Sequence, residues 1–137
     1  MGLYLAVFDD GDELDGVEIV GYSDFSAFRN AVVNNLEGSV AGSRFPTLIL
    51  HSDCDGQWTP NEAAVLEHEL EIISSRFRKL PPTPLNSDWQ KQVAKTLGLQ
   101  LNSLYDCFFD VDGEPLLDRL IKLAKLSQAR SLPILFQ

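Results

Sequence analysis

The chain has 137 residues, 45% of them apolar and 23% charged, which suits one folded domain and argues against disorder. Its formal net charge is −9, so it lacks the positive footprint that nucleic acid or an anionic membrane surface requires, whereas a basic protein partner fits. No apolar run approaches the ~18 residues that a membrane-spanning helix needs.

Leu3 to Phe8 is apolar and aromatic, and its pattern predicts a strand. The acidic, glycine-punctuated stretch Asp9-Asp10-Gly11-Asp12-Glu13-Leu14-Asp15-Gly16 reads as a loop, and Val17 to Val20 as a short strand hairpinned with the first. Ser23 is a candidate N-cap for a helix whose Phe25, Phe28, Val32 and Leu36 fall on one face and which Gly38 stops. After a small-residue loop from Ser39 to Ser43, Phe45 to Leu50 reads as a strand opened by Pro46.

Thr59-Pro60-Asn61-Glu62 is a capping box with proline at the first helical position, and Leu66, Leu70, Ile73 and Phe77 form the buried stripe behind it. Trp58 stands just before the cap, where a hydrophobic staple belongs. Leu80-Pro81-Pro82-Thr83-Pro84 is a stiff connector that no helix continues through. Ser87-Asp88-Trp89-Gln90 is a second capping box, followed by Trp89, Val93 and Leu97 on one face and by Gly98 as the stop. Leu104 to Phe109 reads as a strand and Leu116 to Leu126 as a helix with Leu116, Leu120, Leu123 and Ala124 inward. Pro133 to Gln137 supplies a closing strand. The order of elements predicts a single α+β domain over residues 1–137. Its expected form is one mixed sheet of about five strands with a leading antiparallel hairpin and about four helices, parallel in part because helices separate successive strands.

Three acidic loops follow expected strands: residues 9–16, His51-Ser52-Asp53-Cys54-Asp55-Gly56 and Asp110-Val111-Asp112-Gly113. Gathered at one edge of a sheet, their carboxylates would hold a cation or meet a basic partner. A strand ending in Asp-x-Asp-Gly looks like the first motif of haloacid-dehalogenase-type phosphatases, in which the first carboxylate is the nucleophile and magnesium sits between the two. Only a short tail follows Asp112 here, and Glu114 stands where that motif has Thr. The alternative is structural, with Asp112 or Gly113 capping and turning into the last helix. Counted from Asp53 as a calcium loop, the sixth and twelfth positions are Trp58 and Ala64, where an EF-hand needs Gly and Glu. His51, Cys54 and Cys107 lack a fourth ligand at zinc-like spacing. The two cysteines form no Cys-x-x-Cys and suggest no disulfide framework. No metal or cofactor is expected from these patterns, although a metal-dependent hydrolase and a non-catalytic cation-binding module both stay open.

Several strings of the chain together resemble one family. They are Met1-Gly2-Leu3-Tyr4-Leu5-Ala6-Val7-Phe8-Asp9, Leu14 to Glu18, Gly42 to Leu48, and His51 to Gly56 with Trp58. To these are added Leu104 to Phe108, Asp110 to Leu116 and Pro133 to Gln137. The chain resembles the immunity protein 70 family of bacterial polymorphic-toxin systems along nearly its whole length, least from Phe77 to Lys95. The resemblance implies a small, non-enzymatic α+β protein that neutralises a cognate toxin domain by binding it, with no catalytic residues and no cofactor. The opening residues carry no basic segment of a signal peptide, and the expected compartment is the cytoplasm. On this reading the toxin domain is basic, and the expected contact residues are Asp9, Asp10, Asp12, Asp15, Asp53, Asp55, Trp58, Asp110 and Asp112. Trp58 and Trp89 also fit a simpler role as core or staple residues beside their caps.

Overall fold

The computed structural model describes residues 3–19, 21–52, 56–85 and 87–137. Asp53, Cys54 and Asp55, on which part of the expected contact set falls, lie outside the described residues. Among those described, four strands form one sheet in the order β2-β1-β4-β3, and every neighbouring pair is antiparallel. β1 (Leu3–Asp9) and β2 (Asp12–Ile19) make the leading hairpin. β3 (Gln57–Trp58) and β4 (Ile134–Phe136) complete the sheet. Around it stand α1 (Tyr22–Leu36), the single turn α2 (Pro46–Ile49), α3 (Pro60–Phe77), α4 (Asp88–Leu97) and α5 (Leu116–Arg130). The α+β class and the leading hairpin are as the sequence indicates. The sheet has four strands where about five were expected, and no strand pair is parallel.

The difference comes from two apolar runs that do not extend, offset by β3, which the sequence does not predict. Phe45 to Leu50 was read as a strand, but Pro46 opens the helical turn α2 at its first position. The buried Glu69 of α3 completes it by accepting from the backbone N–H groups of Thr47 (3.2 Å) and Leu48 (3.0 Å). A carboxylate thus sits on the positive end of a helix whose φ proline has already set. Leu104 to Phe109 was also read as a strand; Leu104–Cys107 is instead a 3-10 turn. Asp106 Oδ2 accepts there from the amides of Asn102 and Ser103, 3.0 Å each. Runs this short carry no periodicity that separates strand from helix. With both lost as strands, β4 pairs with β1 on one side and β3 on the other.

α3 and α4 form where their predicted caps stand, whereas α5 starts after Pro115 and not at Asp112 or Gly113. Thr59 Oγ1 accepts from Glu62 N at 3.2 Å and Glu62 Oε1 accepts from Thr59 N at 3.0 Å, a pairing that contributes on the order of 1 kcal/mol. Gln90 Oε1 accepts from Ser87 N at 3.1 Å, and Gly98 ends α4 at φ +63°. α1 begins one residue before the expected cap, after Gly21. The face of β1 carrying Leu3, Leu5 and Val7 joins Phe25, Phe28, Leu70, Phe77, Leu117 and Leu120 in one continuous core. α3 packs along α5, and α5 lies against the β1–β2 hairpin.

The opposite face of the hairpin places the Tyr4 ring over Gly16, where an added Cβ would sit 2.2 Å from the Tyr4 hydroxyl oxygen. Tyr4 Oη donates to Glu13 Oε2 at 2.8 Å. Burial, then this carboxylate, pushes the Tyr4 hydroxyl up from 10.0 to about 12. Burial and the neighbouring Asp118 carboxylate push Tyr105 upward as well. Above pH 10 the unfolded chain releases these protons while the folded chain keeps them, so stability present below pH 10 is lost as pH rises through the raised values. Urea unfolding midpoints are expected to fall between pH 10 and about 12, and to fall less in Tyr4→Phe. Equal alkaline slopes in both proteins would refute this assignment.

Candidate functional site

The acidic stretch 9–16 is a hairpin with a two-residue turn. Asp9 pairs with Asp12, and the intervening Asp10 and Gly11 have φ of +51° and +86°, the twist that a tight hairpin needs and that Asp-Gly supplies. From Asp12 onward the chain is strand. The register shifts between Val7, opposite Asp15, and Phe8, opposite Glu13, which leaves Leu14 as a bulge. Asp10 and Asp12 are exposed. Asp9 Oδ2 accepts from Arg130 Nη2 at 2.7 Å, with both side chains nearly half exposed, a geometry that contributes at most about 1 kcal/mol.

The Asp110-Val111-Asp112-Gly113 turn is built around a buried carboxylate. Asp110 is 2% exposed. Its Oδ1 accepts from the amides of Asp112 (2.9 Å) and Glu114 (3.0 Å), while Oδ2 lies 3.3 Å from Arg119 Nε. Gly113 takes φ +80°, and its N–H donates to Asp110 O at 3.0 Å. Both oxygens of Asp110 are thus committed to holding the turn. A phosphatase nucleophile must stand open to its substrate, and this one does not. Asp112 is exposed and Val111 half-buried beside it.

Arg119 joins two of the acidic segments. Besides Asp110 it reaches Asp15 Oδ1 at 3.3 Å through Nη2, which also donates to Gly16 O. The hairpin bulge, the Asp110 turn and the first turns of α5 are therefore clamped by one guanidinium. The other segments lie apart. Arg119 and Arg130 are eleven positions apart on α5 (130 less 119), so the Asp9 end of the hairpin stands about 16 Å along the helix from the Asp110 turn. Gly56, at the end of the second acidic loop, accepts from Phe136 N, and Gln137 N donates to Tyr4 O at the start of β1. Phe136 pairs with Leu5, four positions from Asp9 on β1, so that corner lies about 13 Å along the strand from Asp9, toward the β3 edge of the sheet. Among the described residues, Asp9 and the Asp110 turn meet different ends of α5, through Arg130 and Arg119.

Trp58 is 1% exposed. Its Nε1 donates to Thr47 O at 3.0 Å and its ring meets Phe136 edge-on at 4.8 Å, so it is a core residue, the simpler of its two expected roles. His51 stacks on Phe136 at 4.3 Å, and its two ring nitrogens lie against Ser52 O and Gln57 O. Among the described residues no group of three or more His, Cys, Asp or Glu side chains is placed to hold a metal ion.

Three inward carboxylates went unread in the sequence. Glu37 accepts from the amides of Gly42, Arg44 and Phe45, Glu69 caps α2, and Asp24 accepts from Trp89 Nε1 at 2.9 Å. Arg119 was also missed. Its signal is its place near the N-terminus of α5, where the helix dipole disfavours a cation unless carboxylates hold it.

A family model described as Immunity protein 70 matches residues 3–136. The chain belongs to the immunity protein 70 family. No curated protein and no solved structure matches this immunity-family chain. The helices of the described residues include none long and apolar enough to cross a membrane.

Proposed function

We propose that this chain is a non-enzymatic, cytoplasmic immunity protein that binds a cognate toxin domain and so neutralises it. The observation that carries the reading is membership of the immunity protein 70 family across residues 3–136. Two features support it. The net charge of −9 suits a basic toxin domain, whose approach it would speed and orient. Asp110, the aspartate that most resembles a catalytic nucleophile, is engaged in holding its turn by two backbone amides and Arg119. Within the expected contact set, Asp10, Asp12 and Asp112 are exposed and Asp9 nearly half so; these offer the negative surface, while Trp58 and Asp110 serve the core.

The test is co-expression with the C-terminal domain of whichever large secreted protein sequencing of the flanking genes identifies. Growth rescue and co-purification of the two chains are expected. Cells that die at the same rate with and without this protein, and a toxin domain that purifies alone, would overturn the reading.

A further inference from the structure

We propose that the half-covered apolar face of α4, with the Asp110–Pro115 turn beside it, is the surface onto which a basic protein partner docks. The inference rests on the immunity reading above and gives its interface a place. α4 separates apolar from polar residues more sharply than α1, α3 or α5, yet Gln90 is its one buried residue. α5, less sharply divided, buries Leu116, Leu117, Leu120, Leu123 and Ala124 along its length. The stripe of α4 is therefore not a core stripe. The helix is tied down at its start, where Trp89 reaches Asp24 and meets Phe109 edge-on at 5.9 Å. Toward its end Val93 is half-buried and Leu97 is 54% exposed.

Val93, Leu97, Val111 and Asp112 line a hollow of about 290 Å³ on this face. On the other side of Gly113 a smaller hollow of about 90 Å³ is lined by Leu99 and Asp106 among others. A Leu97 methyl carbon lies 2.5 Å from where a Cβ on Gly113 would stand, so the glycine lets the leucine lie across the boundary and join the two hollows into one stripe.

Charge decides the occupant. The charged side chains lining the two hollows are Asp106 and Asp112, both carboxylates. Lys91 and Lys95 stand two positions to either side of Val93, about 200° round the helix and so off this face. A second copy of the chain would present the same patch to itself across a two-fold axis, setting carboxylates near carboxylates between two chains of charge −9. A basic partner instead places lysine or arginine beside Asp106 and Asp112 while an apolar side chain fills the hollow over Leu97. Such a buried anchor holds the complex, and the rim charges set its rate of formation.

The experiment measures binding of the full chain to the candidate toxin domain from that co-expression test, prepared with its catalytic residues substituted. Leu97→Asp is expected to weaken binding at least about 30-fold, and Asp112→Lys to slow association about tenfold and flatten its salt dependence. Val65→Asp, at an exposed apolar position on α3 outside the stripe, should bind within about twofold of the natural chain. Melting curves establish that each variant is folded, and Asp112→Lys decides the matter if Leu97→Asp is not. A natural chain that does not bind overturns the immunity reading and this surface with it. Tight binding untouched by both Leu97→Asp and Asp112→Lys overturns the surface alone. Self-association abolished by Leu97→Asp assigns the stripe to a second copy and overturns the proposal equally.

Discussion

Replacing Arg119 with methionine is expected to lower the unfolding free energy by about 3 kcal/mol, because it strands a carboxylate that the fold keeps from water. Asp110 is 3% exposed at its side chain and has Arg119 as its counter-ion. Two backbone amides still point at Oδ1 after the change, but the charge facing Oδ2 is gone. Asp15 loses the same partner at 3.3 Å. For a domain of this length the loss corresponds to a melting point lower by about 10 °C. The double variant Arg119→Met/Asp110→Asn should recover part of it, since a neutral amide tolerates that pocket better than an unpaired charge. Melting of the single and double variants gives the coupling directly. A single variant that melts with the natural protein would show that the clamp contributes nothing.

Glu37→Ala is expected to cost a similar amount, about 3 kcal/mol, for a different reason. The Glu37 side chain follows α1 and folds back, 4% exposed, to collect three backbone N–H groups. Gly42 donates to Oε1 at 3.0 Å, and Arg44 and Phe45 donate to Oε2 at 2.8 Å each. Truncation leaves these donors without an acceptor in a segment that has no strand or helix to satisfy them. Glu37→Gln keeps one acceptor oxygen and turns the other into a donor aimed at donors, so an intermediate loss is expected. Urea unfolding of the three proteins checks the order. Equal midpoints for Glu37→Ala and the natural chain would show that the loop holds without its carboxylate.

Much of the fold was legible because its helices announce their starts. Thr59 with Glu62 and Ser87 with Gln90 are local signals, complete within four residues; the first box closes on both sides, and in the second Gln90 accepts from the Ser87 amide. Gly98 is equally local, whereas the two-residue Asp10-Gly11 turn lies inside a stretch, residues 9–16, that reads as a loop, so that β2 begins five residues before the expected strand. The two apolar runs that read as strands fail for different reasons. Pro46 to Ile49 is helical because Glu69, twenty residues onward, meets its first amides. The 3-10 turn at Leu104 does hold a Ser103-x-x-Asp106 signature, but the apolar run Leu104 to Phe109 outweighed it. Charge is costly to bury, so sequence alone gives no reason to place a carboxylate inside. Glu37, Glu69, Asp24 and Asp110 are buried all the same, since each reaches backbone amides, an indole N–H or a guanidinium that lies apart in the chain. The docking surface was hidden for the converse reason: Trp89, Val93 and Leu97 have the spacing of a core stripe, and only coordinates show that Leu97 lacks a cover.

The strand order has one more consequence. β3 belongs to the sheet through β4, which spans three residues and reaches β1 through Leu5 and Ala6. Leu5 and Phe136 close a loop that includes almost the entire polypeptide, so this seam forms after the parts it joins have organised themselves. When it parts, β3 and β4 leave together, and the stacked His51 ring loses Phe136 beneath it. Loosening at one end of the chain thereby reaches His51 and Gly56, some eighty residues earlier, because both meet Phe136.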